Sequence, residues 1–232
     1  MDFGNSLSYV FDDQAWVSKL AMLLLIMLLS AIPVLGLLAL AVAMGYLVEL
    51  VGNVRSGHPT PLPTWEGMET KFRTGGYLLV AWFVYHLPFV MFFGCTTWLI
   101  GAIAGGFLGD LTFYVIACCL APFALIYIAL AWAMFGLATT EYADTLDQNV
   151  YYRLADLWWS LQRYGSITIQ WMIMSFFANT LISLLALIPC LGWLAAPALA
   201  IPWQGHLLGQ YARQVGIDSD RRQQIKREKM RS

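Results

Sequence analysis

Residues Leu20–Val51 read LAMLLLIMLLSAIPVLGLLALAVAMGYLVELV. This stretch holds one charge, Glu49, and one interruption, Ile32-Pro33-Val34-Leu35-Gly36. As one helix rising 1.5 Å per residue it would overshoot the roughly 30 Å apolar core of a bilayer. Proline removes a helix hydrogen bond and clashes with the preceding turn, and glycine tolerates a sharp bend. The stretch therefore reads as two short spans, about residues 17–32 and 36–52, joined by a tight turn at Pro33 and Gly36. One tilted, proline-kinked helix is the alternative.

The same interruption returns at Ile188-Pro189-Cys190-Leu191-Gly192. Residues 23–36 laid beside 179–192 pair Pro33 with Pro189 and Gly36 with Gly192, with several leucines and isoleucines matching between them. Leucine-rich helices match by chance, so only the I-P-x-L-G element is informative. A second echo sets Arg73-Thr74-Gly75 beside Arg163-Tyr164-Gly165. Two readings stay open: a parallel repeat about an axis along the membrane normal, or a good Pro-Gly turn used twice.

Composition agrees with membrane insertion. Of the 232 residues 59% are hydrophobic and 12% charged, against roughly a quarter charged in soluble domains. The near balance of 13 Lys and Arg against 14 Asp and Glu points to no nucleic acid partner. Asp2, Asp12 and Asp13 against a single Lys19 have the wrong sign for a signal-peptide n-region, so the first apolar run is expected to stay as a span. Cys95, Cys118, Cys119 and Cys190 lie in apolar runs without CxxC or Cys/His spacing. They read as small buried hydrophobes, with no disulfide or metal framework.

In chain order, an aromatic lead-in precedes the first span, and Asp12 or Asp13 is expected to cap that helix. A proline-rich loop over 52–64 leads into Trp65, Met68 and Phe72 at helical spacing, with Glu66, Glu69, Lys71 and Arg73 between them. This reads as a short amphipathic interfacial helix ended by Gly75-Gly76. Tyr77 to about Ile100 is the third span, with Pro88 inside it. Gly101, Gly105, Gly106 and Gly109 make a glycine-rich connection, and Leu111–Thr139 is the fourth span. Leu146, Val150, Leu154, Leu157, Leu161 and Tyr164 repeat at three and four, predicting a second amphipathic helix with Trp158 and Trp159 at headgroup level. Ile167–Ile188 and Leu191–Arg213 are the fifth and sixth spans. The expected fold is all-α: a polytopic membrane domain over residues 1–215 with six transmembrane helices, two tight Pro-Gly hairpins and two cytoplasmic amphipathic helices. A basic cytoplasmic tail of frayed helix or coil follows over 216–232.

With six spans, the connections at 33–36, 101–110 and 189–192 share one face and contain no Lys or Arg. All thirteen basic residues lie on the other face. Positive residues stay inside, so both termini are expected to be cytoplasmic in a multi-pass cell (inner) membrane protein.

The order of landmarks carries a resemblance. Phe11-Asp12-Asp13-Gln14-Ala15-Trp16 precedes a span ending Ile32-Pro33; Gly45-Tyr46-Leu47 precedes Pro61-Leu62-Pro63-Thr64-Trp65-Glu66; the next span carries Leu87-Pro88. This resembles the prokaryotic membrane family catalogued as domain of unknown function 4013. The likeness covers most of the chain up to the tail. It implies a small multi-span protein of bacteria or archaea, and it brings no activity and no site residues.

Ionisable groups inside a membrane are costly and are functional candidates. His86 lies two residues before Pro88. His206 has Gln204 and Gln210 on either side. Glu49 closes the second span, and Asn179 lies in the fifth. Prolines free backbone carbonyls nearby, so these four form the candidate lining of a polar cavity. The competing readings are a His206 and a Glu49 that reach interfacial water and an Asn179 that bonds a neighbouring helix. No HExxH, GxSxG, Walker or dinucleotide-loop pattern is present, so no catalytic residue and no cofactor is expected. The steps Gly101/Gly105/Gly109 and Gly205/Gly209 permit close helix contact and, with the short spans, self-association. Two function classes follow. The first is a non-catalytic membrane subunit, scaffold or assembly partner that binds the bilayer and a membrane or cytoplasmic protein. The second is a small-solute or ion transporter or channel.

Overall fold

The computed structural model describes residues 1–96, 98–99, 107–189 and 191–231, with side chains described for these apart from 107–114, 116–117, 191 and 217–231. Among them the chain is helical, with no strand. Helix α1 (Phe3–Ser8) runs into a 3-10 turn, Tyr9–Asp12. Then come α2 (Trp16–Leu29), α3 (Leu35–Ser56), α4 (Met68–Phe89), α5 (Phe107–Thr145), α6 (Leu154–Ala186) and α7 (Leu191–Arg231). Four helical segments among the described residues are long and apolar enough to cross a membrane: Leu35–Ser56, Met68–Gly94, Cys118–Thr145 and Leu154–Ala186. Helix α2, with 14 residues, is shorter than these.

Pro33 ends the first apolar helix as its chemistry requires. Helix α2 stops at Leu29, and Val34 takes φ +69° and ψ −59°. There Leu35 N donates to Pro33 O at 2.9 Å, the strained form of γ-turn, in which a β-branched residue is rare. Ala31 N bonds Leu28 O, Ile32 N bonds Leu29 O and Gly36 N bonds Ile32 O. The same three bonds recur 156 residues later: Leu187 N to Leu184 O, Ile188 N to Leu185 O and Gly192 N to Ile188 O. A Cβ on Gly36 would overlap Ser30 O, and one on Gly192 would overlap Leu185 O. The I-P-x-L-G repeat thus extends to the backbone bonds and to the need for glycine. Cys190 lies outside the described residues. The second echo does not extend so far. Gly75 is pressed against α3, whereas Gly165 meets nothing within 4 Å and Tyr164 breaks helical geometry at φ −108°, ψ 17°.

Helix α3 is the centre of the bundle and packs on α2, α4, α5 and α7. In lipid, helices associate through close packing, so small residues mark the contacts. A Cβ on Gly75 would overlap Ala41 O and Gly45 N, and one on Gly45 would overlap Lys71 O. Gly205 and Gly209 of α7 fit against Leu47, Leu50, Val51 and Val54 of α3. This GxxxG step is therefore used within the chain. Gly101 and Gly105 of the other step lie outside the described residues.

One core, including Val51, Leu78, Tyr142, Tyr151, Trp171 and Tyr211, joins α3 to α4–α7. A second, including Tyr9, Leu23, Tyr46, Leu50 and Leu62, seals α2 and α3 beneath the lead-in and the proline loop. That loop is held down by side chains bonded to its carbonyls. Asn53 Nδ2 donates to Pro61 O, Lys19 Nζ to Leu62 O and Lys71 Nζ to Glu66 O.

Several expectations are corrected. Gly75-Gly76 does not end an interfacial helix: α4 runs through both. Glycine inside a helix costs about 1 kcal/mol, and here Gly75 admits α3. The three-four repeat from Leu146 to Tyr164 is not one helix. Leu146 has φ +54° and Gln148–Tyr152 is a 3-10 turn, so α6 begins at Leu154, kinks at Tyr164 and runs on to Ala186. Trp158 and Trp159 are exposed on its first turns. Cys95, Cys118 and Cys119 are exposed rather than buried, because an outward face is as apolar as the core. The segment after Gly216, expected as frayed helix or coil, is helical to Arg231. Val90–Gly94, just after Pro88, is a π-turn, the adjustment expected where a proline withholds a helix donor.

Candidate functional site

Of the four candidate polar residues, His206 and Glu49 line different clefts. His206 is buried in α7, where two prolines earlier in the helix, Pro202 four residues and Pro197 nine residues before it, leave carbonyls without helical donors. Its Nδ1 lies 2.9 Å from Ser6 Oγ and 3.2 Å from Gln210 Nε2, and its ring stacks on Tyr9 at 4.0 Å. Tyr9 donates its hydroxyl to Pro202 O at 2.9 Å. Asp2 N donates to Gln210 Oε1 at 2.6 Å, which fixes the amide so that Gln210 Nε2 donates to Asp2 O and Ser6 Oγ. Burial, then the neighbouring Tyr46, keeps the Tyr9 phenol well above its ordinary range, so it remains a donor. His206 and Gln210 therefore moor the N-terminal helix. Beside them lies a cleft of about 490 Å³ lined also by Asp2, His58 and Arg213. Gln210→Ala should release α1. Limited chymotrypsin digestion should then cut near Phe11 several-fold faster, with the rest of the chain unaffected, because a lost hydrogen-bond set is worth about 1–3 kcal/mol.

Glu49 sits in a different cleft, about 340 Å³, with Asn53, Thr70 and Thr74. It accepts an ion pair from Lys71 Nζ at 2.7 Å. Lys71 was expected on an interfacial surface; its side chain is 4% exposed while that of Glu49 is 39% exposed. His86 bonds Trp82 O in its own helix at 2.8 Å and stacks on the Trp82 ring at 4.3 Å, so it is satisfied locally on the outer side of α4. Asn179 is exposed on α6. The polar bridge from α6 to α7 is instead Ser175 and Gln204, with Ser175 Oγ donating to Gln204 Oε1 at 2.7 Å and Gln204 Nε2 to Ser175 O at 3.0 Å. Among the described residues no cluster of three His, Cys, Asp or Glu side chains is placed to hold a metal ion.

Asp13, expected as a helix cap, does more. Its Oδ1 accepts from Ala15 N at 2.8 Å and its Oδ2 pairs with Lys19 Nζ at 2.7 Å. Burial opposes ionisation, but the Lys19 hydrogen bond, the Ala15 N–H and the Lys19 charge together hold the carboxyl below its ordinary value. A depressed folded pKa gives stability that is complete above about 4, the unfolded value, and is lost as pH falls through the folded one. An acid titration followed by tryptophan fluorescence should show a transition below pH 4 that Asp13→Asn removes.

Sequence reasoning missed Lys71 and the mooring role of residues 2–9. Lys71 falls among charges at a helix start, which is where solvated lysines also lie. The contacts of Ser6 and Tyr9 with α7 span about two hundred positions, so no local signal carries them.

Two arrangements therefore stand out: paired charges at the helix ends and hydrogen-bonded polar contacts between helices. The chain is similar to a known protein family. The family described as protein of unknown function (DUF4013) matches residues 21–191. No curated protein and no solved structure matches the chain. The match begins after the aromatic lead-in and stops at the first residue of α7, so the mooring of α1 on α7 lies outside it. Over most of its length, including both I-P-x-L turns and the α3–α4 crossing, the chain belongs to the DUF4013 family, as its landmarks suggested.

Proposed function

We propose that the protein is a non-catalytic membrane subunit, scaffold or assembly partner, crossing the inner membrane six times through α2–α7 with both termini in the cytoplasm. One observation carries this reading: several polar side chains of the bundle bond one another between helices, while among the described residues the Tyr46 hydroxyl and the Trp171 and Trp203 indole N–H groups are buried without a partner. His206 is held by Ser6, Gln204 by Ser175, Thr168 by Tyr211 and Lys71 by Glu49. Such pairs join one helix or segment to another, the role expected of a structural subunit. The ion pairs of Lys19, Arg55, Lys71 and Arg153 involve helix ends that a six-span topology puts on one face, in keeping with the positive-inside rule.

A small-solute or ion transporter is the second reading. It is favoured by the matched bonds of the two broken turns, since parallel repeats are common in transporters. Native mass spectrometry of the protein extracted gently from its own membrane separates the two. A stoichiometric second protein supports the subunit reading. A bare monomer or homo-oligomer carrying a small molecule supports transport, and liposome flux with His86→Ala and His206→Ala then tests it.

A further inference from the structure

A separate cleft of about 340 Å³ lies between the start of α4 and the turn after α5, lined by Thr70, Arg73, Tyr77, Asp147, Gln148 and Asn149, among others. Arg73, like Arg163 and Arg213, has no carboxylate partner among the described residues, whereas Lys19, Arg55, Lys71 and Arg153 do. The acid in the cleft is already neutralised: Asp147 Oδ2 pairs with Arg153 at 2.9 Å, and its Oδ1 accepts from Asn149 N and Nδ2. The cleft therefore offers one unopposed guanidinium, hydroxyls from Thr70 and Tyr77, and the side-chain amide of Gln148, while that of Asn149 is engaged by Asp147. One positive charge with neutral donors suits a monoanion. A phosphomonoester dianion would leave a charge unmatched beside Asp147.

Apolar surface adjoins it. Beyond Tyr77, α4 exposes Val80, Phe83, Val84 and Leu87, and α5 exposes Leu130, Ile126 and Phe123. At the rim Leu146 is 57% exposed and held at φ +54°. Left-handed backbone at a bulky residue is strained, and such strain gathers at binding sites. An exposed leucine beside a polar cleft is in place to enter the headgroup layer.

We propose that this cleft binds the phosphodiester headgroup of an anionic phospholipid, with Arg73 on the phosphate and the acyl chains along the outer faces of α4 and α5. The site goes beyond the subunit reading and holds equally if the protein transports a solute.

The test is native mass spectrometry of the full chain in detergent, titrated with phosphatidylglycerol or phosphatidylcholine. Phosphatidylglycerol should bind the wild type more tightly than phosphatidylcholine. Arg73→Ala should weaken the first phosphatidylglycerol about tenfold or more, since hydrogen bonds to charged groups are the strong ones. Arg73→Lys should fall between, and Arg213→Ala, on the His206 cleft, should match the wild type. Equal binding by Arg73→Ala, or equal affinity for the two lipids, overturns the proposal. Displacement of the lipid by millimolar inorganic phosphate or glycerophosphoglycerol overturns its lipid part and leaves a free-anion site. If Arg73→Ala fails to fold, Tyr77→Phe with Gln148→Ala should weaken phosphatidylglycerol without altering the melting curve; unchanged affinity there also overturns it.

Discussion

Gly75→Ala is expected to destabilise the bundle by about 3 kcal/mol or more, at the upper end of overpacking effects. The added Cβ would overlap two backbone atoms, Ala41 O and Gly45 N. Side chains can rotate away from such a contact, but two helix backbones cannot. Helices α3 and α4 would have to separate along the contact on which the centre of the fold depends. Gly45→Ala should behave alike, because its Cβ would meet Lys71 O. Gly76→Ala is the matched control: nothing lies within 4 Å of its added Cβ, and alanine is the better helix former. Thermal unfolding in detergent, read by size-exclusion chromatography, should show Gly75→Ala and Gly45→Ala aggregating well below the wild-type temperature. Gly76→Ala should be unchanged or slightly more stable. Equal melting of the Gly75 and Gly76 variants would refute the close crossing.

The second large effect is an asymmetry within one ion pair. Glu49→Ala should cost about 3 kcal/mol, in the range for leaving a buried charge without its partner. The reason is burial: among the described residues the Lys71 ammonium keeps only Glu66 O, at 2.7 Å, when the carboxylate is gone. Lys71→Met should cost much less, because the carboxylate it leaves behind is partly exposed and methionine retains most of the apolar stem. The double variant should resemble Lys71→Met alone, giving a coupling energy of opposite sign to the Glu49→Ala loss. Chemical unfolding of the four proteins by urea and tryptophan fluorescence measures the cycle. A Lys71→Met loss as large as that of Glu49→Ala would show that the buried charge is not the source.

The two broken turns were legible because proline and glycine act locally. Pro33 and Pro189 withhold a donor wherever they stand, and Gly36 and Gly192 lie where a Cβ would strike a carbonyl of the preceding turn. The same local logic misread Gly75-Gly76, since glycine serves both as a terminator and as the seat of a close helix crossing. It misread Leu146–Tyr164 because three-four spacing persists through a 3-10 turn. His86 and Asn179, singled out as intramembrane polar residues, are found bonded within their own helix and exposed, respectively, because which face a helix turns inward is set by packing.

Class, helix content and most break points belong to short-range chemistry: apolar run length, the missing proline N–H and the sign of flanking charge act within a few residues. Which apolar face meets protein and which meets lipid is not encoded that way. In a membrane both surroundings are apolar, so exposed Cys118 and Phe123 look like core residues, and Lys71 looks like a solvated lysine until α3 covers it. Those assignments came from contacts between distant segments, Gly45 with Gly75, Glu49 with Lys71 and Ser6 with His206, where fit and pairing select among helix faces that composition leaves equivalent.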